Sequence, residues 1–252
     1  MGDETPAIRV ENLRKVYGVK AAVDGLTLTV PRGCFFGFLG PNGAGKTTTI
    51  RMLTGLTRPT SGSIELLGFR MPDHELEIKR RIGLVPDESL LFDRLTGAEF
   101  LEFAARMYGL ARSVAQERAR ELLALFELDS QPRKLIAEYS KGMRKRLAMA
   151  AALIHRPQLF LLDEPFEGVD AIGARLMKDL LVDQVRQGAT IFLTSHVLEV
   201  VERLCERVAI VHQGKLVAEL ATRELRASAA TLEDVFVELV GGARAVEKLD
   251  WL

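Results

Sequence analysis

Residues 40–48 read Gly40-Pro41-Asn42-Gly43-Ala44-Gly45-Lys46-Thr47-Thr48, and within them the pattern G-x-x-x-x-G-K-[ST] is met at every fixed position. Residues of these types at this spacing hold phosphate. The glycines let backbone N–H groups turn inward around phosphate oxygens, and a helix N-terminus just beyond favours an anion. Lys46 can reach the terminal phosphates and the Thr47 hydroxyl can ligate magnesium. The loop alone says only that a nucleotide binds, because kinases, GTPases and ATPases share it. The sequence has no Asn-Lys-x-Asp stretch of the kind that reads guanine.

A second constellation lies more than a hundred residues on. Leu159-Phe160-Leu161-Leu162 runs into Asp163 and Glu164. Asp163 is placed to hold magnesium, and Glu164, pointing elsewhere as the next residue, to polarise an attacking water. Hydrolysis of a phosphoanhydride needs both an ion on the phosphates and a group that orients the nucleophile. An acidic pair that merely opens a loop is common, so the apolar strand before it and the phosphate loop give this pair its meaning. Ser140 opens a helix, where its hydroxyl and the free N–H groups suit a phosphate, although taken alone it reads first as a plain N-cap. His196 follows the apolar run Thr190 to Thr194, which makes it a candidate γ-phosphate contact; a lone histidine is otherwise a structural one.

These residues need strand ends to carry them. Cys34 to Leu39 and Leu159 to Leu162 are apolar on both sides, as strands in the middle of a covered parallel sheet are. Ligands in such sheets bind at the carboxyl ends of the strands, where both runs turn polar. Val23 to Val30 alternates as a half-buried strand. Further strands are predicted at Ser63 to Leu67, Arg81 to Val85 and Thr190 to Thr194, with a hairpin over Val208 to His212 and Lys215 to Leu220 turning at Gln213-Gly214. Helices are predicted at Ala174 to Gln187, Val197 to Leu204 and Thr231 to Val240.

From about Leu95 to Ile154 the spacing is helical throughout. Thr96-x-x-Glu99 reads as a capping box, with Phe100, Phe103, Ala104 and Met107 on one face of the helix it opens. A second helix spans about Val114 to Phe126, and a third starts at Ser140. The chain is therefore expected to be one α/β domain over 1–241, with its core in 1–92 and 155–241, a helical subdomain in about 93–154, and a tail over 242–252.

Composition sets bounds on partners. Of the 252 residues, 34 are Lys or Arg and 34 Asp or Glu, so the formal net charge is zero and no basic excess points to a nucleic acid. Cys34 and Cys205 sit far apart in apolar surroundings and read as two reduced, buried thiols, which fits a reducing cytoplasm. The polar, acidic start MGDETPAIRV lacks the apolar centre of a secretory signal. Apolar runs such as Leu147 to Ile154 fall far short of the ~20 residues of a membrane span. If the protein serves a membrane, another chain must cross it.

Taken in order, the motifs resemble those of ATP-binding cassette ATPases. Tyr139-Ser140-Lys141-Gly142-Met143 is similar to that family's signature motif, Asp163-Glu164-Pro165 with Gly168-Val169-Asp170 to its acidic strand and following loop, and Thr194-Ser195-His196 to its switch histidine. The resemblance covers about Ile8 to Gly241. It implies a P-loop NTPase core with a mostly parallel sheet, an antiparallel β region and a helical subdomain insert. It implies ATP and Mg2+ as ligands, catalysis by Glu164 and His196, and adenine stacking on Tyr17, a ring that reads equally as a surface or core aromatic. It also implies a second ATPase subunit bound head to tail, so that Ser140 and Gly142 meet the nucleotide held by the partner. A transmembrane permease subunit is the further partner, served from the cytoplasmic face of the cell membrane. The C-terminal Leu232 to Phe236 stretch is similar to the exporter branch.

Three positions depart from the family pattern. Asp87 follows Val85-Pro86 where glutamine is usual, and an aspartate there can also ligate magnesium. Lys141 replaces the first signature glycine and Met143 the glutamine. Leu90, Leu91 and Phe92 are candidates for a surface that docks a permease, or equally for core. A non-transport member of the family, a translation or DNA-repair factor, is the alternative reading; such proteins usually carry two cassettes or long coiled coils, which this sequence lacks.

Overall fold

The computed structural model describes residues 5–88, 91–228 and 231–241, so Leu90 and the 242–252 tail lie outside the described residues. Strands β1 (Ile8–Tyr17) and β2 (Lys20–Val30) pair antiparallel. β3 (Phe35–Leu39) then leads into the glycine loop and α1 (Lys46–Leu53). β4 (Ser61–Leu66), β5 (Phe69–Arg70), the short α2 (Glu75–Lys79) and β6 (Ile82–Val85) follow. Three helices come next: α3 (Gly97–Met107), α4 (Arg112–Leu125) and α5 (Lys141–Leu153). Alternation resumes with β7 (Leu159–Asp163), α6 (Ala171–Arg186), β8 (Thr190–Thr194), α7 (Leu198–Leu204), β9 (Arg207–His212) and β10 (Lys215–Ala221), and closes with α8 (Thr222–Ser228) and α9 (Leu232–Val240).

The strands form two sheets, ordered β2-β1-β4-β5 and β10-β9-β3-β8-β7-β6. The first is antiparallel; in the second every pairing is parallel except β9 with β10. The second sheet is the wall between two apolar cores. Phe36, Phe38, Leu161 and Phe192 project into the core shared with the antiparallel sheet. Phe35, Leu39, Phe160, Leu162, Ile191 and Leu193 project into the core shared with the helices. Side chains alternate along a strand, so two apolar environments require unbroken apolar runs. That is the pattern read at residues 34–39 and 159–162.

β1 escapes pattern reading because its register with β2 and β4 slips near Asn12, a non-glycine residue at φ 48°. The slip breaks the period of two in a stretch already rich in charge. α6 also starts one turn earlier than predicted, with Asp170 accepting from the Gly173 amide as its N-cap.

The capping box of α3 forms as predicted: Thr96 Oγ1 accepts from the Glu99 amide, and Glu99 accepts from the Thr96 amide. The apolar face holds at Phe100 but not at Phe103 and Met107. Gly97, Phe100, Leu101 and Ala105 are buried, whereas Phe103 and Met107 are exposed. Consecutive Phe100-Leu101 permits two overlapping stripes, and packing against α4 and α5 selects the one at 97, 101 and 105. At the end of α3, Tyr108 stacks on His155 with ring centroids 3.5 Å apart, and His155 Nε2 lies 2.9 Å from the Ile82 carbonyl oxygen at the start of β6. Both predicted thiols, Cys34 and Cys205, are buried and free.

The corrected face makes opposite demands on two neighbours. Leu101→Ala should cost ~2–5 kcal/mol in a denaturant titration, and Phe103→Ser should stay within about 0.5 kcal/mol of the parent. His155 sets an acid limit. Burial pushes its imidazole down from 6.5 to about 4, against the opposing hydrogen bond to Ile82. The unfolded chain therefore binds the extra proton first, and stability falls as pH drops from 6.5 towards 4. His155→Phe should flatten that part of the stability–pH curve.

Candidate nucleotide site

The phosphate loop is held from behind by backbone. Gly45 caps α1 at φ 107°, and a Cβ there would come within 2.5 Å of the Ala22 carbonyl oxygen. A Cβ on Gly40 would meet the Val211 carbonyl oxygen at 2.3 Å. Both positions therefore need glycine for a close approach, the first also for its left-handed backbone. The β9–β10 turn, with Gln213 at φ 48° and Gly214 at φ 80°, has the type I′ signs. Its Gly214 amide donates to the Ala44 carbonyl (3.1 Å), and its carbonyl accepts from the Asp24 amide (2.8 Å). Ala44 itself is buried beneath the loop, with its amide donating to Pro41.

Lys46 is buried and its ammonium donates to the carbonyls of Gly40 (2.7 Å) and Pro41 (3.2 Å). Burial pulls its pKa down, and the nearby carboxylates of Glu164, Asp163 and Asp87 oppose that shift. One cleft is lined by Tyr17, Asn42, Gly43, Gly45, Lys46, Thr47, Thr48, Asp87, Asp163 and Glu164. An adjoining cleft shares Asn42, Asp87 and Glu164 and adds Gly40, Pro41 and His196. Tyr17 is half-exposed, with the Lys15 ammonium 5.0 Å from its ring centroid.

Asp163, at the end of β7, is 2% exposed, and the Thr194 hydroxyl at the end of β8 donates to its Oδ1. Glu164 takes a left-handed backbone (φ 46°), unusual for a non-glycine residue, while its amide faces the carbonyl and the hydroxyl of Thr194 (3.2 Å each). This turns its side chain to His196, whose Nδ1 lies 3.0 Å from Glu164 Oε2. Strain of this kind, held by surrounding hydrogen bonds, gathers at functional sites.

Ser140 and Gly142 line neither cleft. The Ser140 hydroxyl accepts from the Met143 amide as the N-cap of α5. A Cβ on Gly142 would meet the Gly168 carbonyl oxygen at 2.9 Å, so α5 packs closely on the loop after Glu164. Lys141 pairs with Glu167 in that loop (2.7 Å), which holds the Glu167 carboxyl below its usual range.

Sequence reasoning missed two residues here. Thr194 joins Asp163 to Glu164, and nothing distinguishes it in the sequence from any strand-end threonine. Lys145 is 1% exposed, within reach of Pro86, Asp87 and Asp163. It falls on the buried stripe of α5 with Gly142 and Met149, at spacings of three and four, so a lysine on an apolar stripe was the available signal.

The oxygen donors beside Lys46 are the Thr47 hydroxyl and the Asp87 and Asp163 carboxylates. Magnesium takes oxygen ligands, and commonly one or two carboxylates together with substrate phosphates. Among the described residues no group of three or more His, Cys, Asp or Glu side chains is placed to hold a metal ion by itself. The hard oxygen donors present are of the kind that magnesium takes beside phosphate oxygens.

A family model described as ABC transporter matches residues 23–167. The chain is 41% identical over 220 residues to the bacitracin transport ATP-binding protein BcrA of Bacillus licheniformis, covering 87% of this chain and 71% of that protein. It is 42% identical to the daunorubicin resistance ATP-binding protein DrrA3 of Streptomyces coeruleorubidus, covering 88% and 70%. Its fold is similar to a solved ATP binding subunit of an ABC transporter (TM-score 0.86, 32% identity, 93% of this chain and 99% of that one). It is similar also to a dimeric ATP-binding cassette in a post-hydrolysis state with ADP and Pi (TM-score 0.80, 25% identity, 86% and 99%). With a P-loop NTPase fold, a complete phosphate loop and these relatives, the chain belongs to the ABC transporter family.

Proposed function

We propose that this chain is the ATP-hydrolysing subunit of an exporter, in which hydrolysis powers a separate permease. The observation that carries this reading is the convergence of Lys46, Asp163, Glu164 and His196, from three separate stretches, on adjoining clefts, with Glu164 and His196 in contact. The loop amides of residues 40–48 and the Lys46 ammonium hold the phosphates. Thr47, Asp163 and Asp87 would hold Mg2+, whose charge would offset that of the phosphates. Glu164 orients the attacking water. His196 Nδ1 approaches Glu164 Oε2 to 3.0 Å, which makes His196 the partner of Glu164 at the terminal phosphate. The half-exposed Tyr17 ring, on the rim of the Lys46 cleft, is the stacking platform for adenine.

Two subunits are proposed to work together. Ser140 and Gly142 lie at the N-terminus of α5, outside this chain's own clefts, and a similar solved cassette is dimeric. They would complete the partner's site. The helical subdomain of about 93–154 carries them. Phe92, Phe103 and Met107 leave an exposed apolar surface beside it, with the Phe92 and Phe103 rings 5.3 Å apart. That surface suits the permease, and the chain would then lie on the cytoplasmic face of the membrane. Among the described residues no helix is long and apolar enough to cross the bilayer. The exporter reading rests on relatives named for bacitracin transport, daunorubicin resistance and Nod factor export.

Glu164→Gln should lower kcat by roughly 100-fold or more while ATP still binds; unchanged turnover would remove Glu164 from the chemistry. In the same assay Ser140→Arg should impair hydrolysis and leave ATP binding to the monomer near the parent value. Purified from its native membrane, the protein should bring down a multi-span partner, and Phe92→Ser with Phe103→Ser should release it. Equal recovery with those two changes would place the docking surface elsewhere.

A further inference from the structure

A fully buried ammonium sits between the three elements that build the site. Lys145 projects from the second turn of α5, the helix that opens at Ser140. Its Nζ donates to the Pro86 carbonyl at 3.1 Å and the Asp163 carbonyl at 3.4 Å, and lies 3.8 Å from Asp87 Oδ1. Pro86 and Asp87 follow the end of β6, and Asp163 ends β7. One side chain therefore spans the helical segment and the ends of two neighbouring strands.

Desolvating an ammonium is costly, and only paired charge and hydrogen bonds offset it. A leucine or methionine at this place in the stripe would pack without that penalty. What lysine adds is three N–H donors and a charge. Two donors meet strand-end carbonyls, and the charge faces a carboxylate that borders both clefts. The surroundings of Asp87 explain why the charge matters. Asp87, Asp163 and Glu164 put three carboxylates around the same space; Lys46 faces them from the loop side, and Lys20 lines the same cleft from β2. Lys145 faces them from the helix side.

We infer that Lys145 is a positioning residue that acts through Asp87: its buried ammonium, in the contacts with Pro86, Asp163 and Asp87, fixes the Asp87 carboxylate at the mouth of the site and makes an acidic residue tolerable there. This rests on the nucleotide-site reading above. The pair acts as one unit, so a side chain that neutralises one member removes most of what the other contributes.

The test is a double-mutant cycle on the full chain with Lys145→Met, Asp87→Asn and the two combined, alongside Lys145→Arg. Three readouts are taken: binding of a fluorescent trinitrophenyl-ATP in EDTA, the additional binding when Mn2+ is titrated in, and turnover. All variants should bind the analogue in EDTA within about threefold of the parent, because the phosphate loop is untouched. The Mn2+-dependent increment should change about tenfold in each single variant, and the combined variant should be no worse than Lys145→Met alone. Turnover should follow the same non-additive pattern, chiefly in kcat, and Lys145→Arg should recover most of it. Independent, multiplying effects of the two changes on the Mn2+ increment would overturn the pairing. So would full Mn2+ response in Lys145→Met. If Lys145→Met fails to fold, Lys145→Arg and Asp87→Asn still decide: a largely retained Mn2+ response in the first with about a tenfold change in the second, EDTA binding kept in both, supports the pair, and a parental Mn2+ response in Asp87→Asn refutes it. Because analogue and Mn2+ binding are read without hydrolysis, a parent that binds both yet fails to hydrolyse ATP would sink the catalytic reading and leave this one standing.

Discussion

The hydrogen bond from the Thr194 hydroxyl to the Asp163 carboxylate joins two parallel strands at the point where both stop being apolar. A carboxylate that is 2% exposed must be paired, and the neighbouring strand end is the nearest source of a donor. The same threonine faces the Glu164 amide with its carbonyl and hydroxyl, so one residue holds the carboxylate of Asp163 and the backbone of Glu164. Lys145 approaches from the far side. The acidic pair is thus held by the sheet and the helical segment together, and the phosphate loop at the end of β3 only has to be brought alongside, which β8 does by pairing with both β3 and β7.

How much of this was readable depends on whether the signal was local. The phosphate loop, the strand before it, the helix after it and the capping box at Thr96 are written in consecutive residues, and each forms where expected. The buried strands were legible because a sheet between two cores demands apolar residues at every position. β1 was not, because a bulge shifts its alternation midway. The exposed face of α3 was misjudged because two apolar stripes overlap on one helix, and only its neighbours decide between them. Lys145 and Thr194 were missed for the same reason: each is defined by what lies across a gap in sequence.

The departures at the signature also look different in three dimensions. Lys141, in place of a glycine, pairs with Glu167 two residues past the Glu164-Pro165 turn. Gly142 keeps the close contact with Gly168 that any side chain would prevent. A longer residue was accepted where there is solvent and refused where backbone meets backbone. Asp87 follows the same logic, since its carboxylate is half-exposed and a buried lysine stands behind it.

The tip of the β9–β10 hairpin would ordinarily be spare surface, the kind of place where a chain accepts an inserted peptide or a label. Here Gly214 is bonded through its amide to Ala44 in the phosphate loop and through its carbonyl to Asp24 in β2. The turn is a rivet between the antiparallel sheet and the back of the loop. For the design of tags, probes or chimaeras, Gly214 therefore counts as an interior position, although it lies far in sequence from the residues it secures.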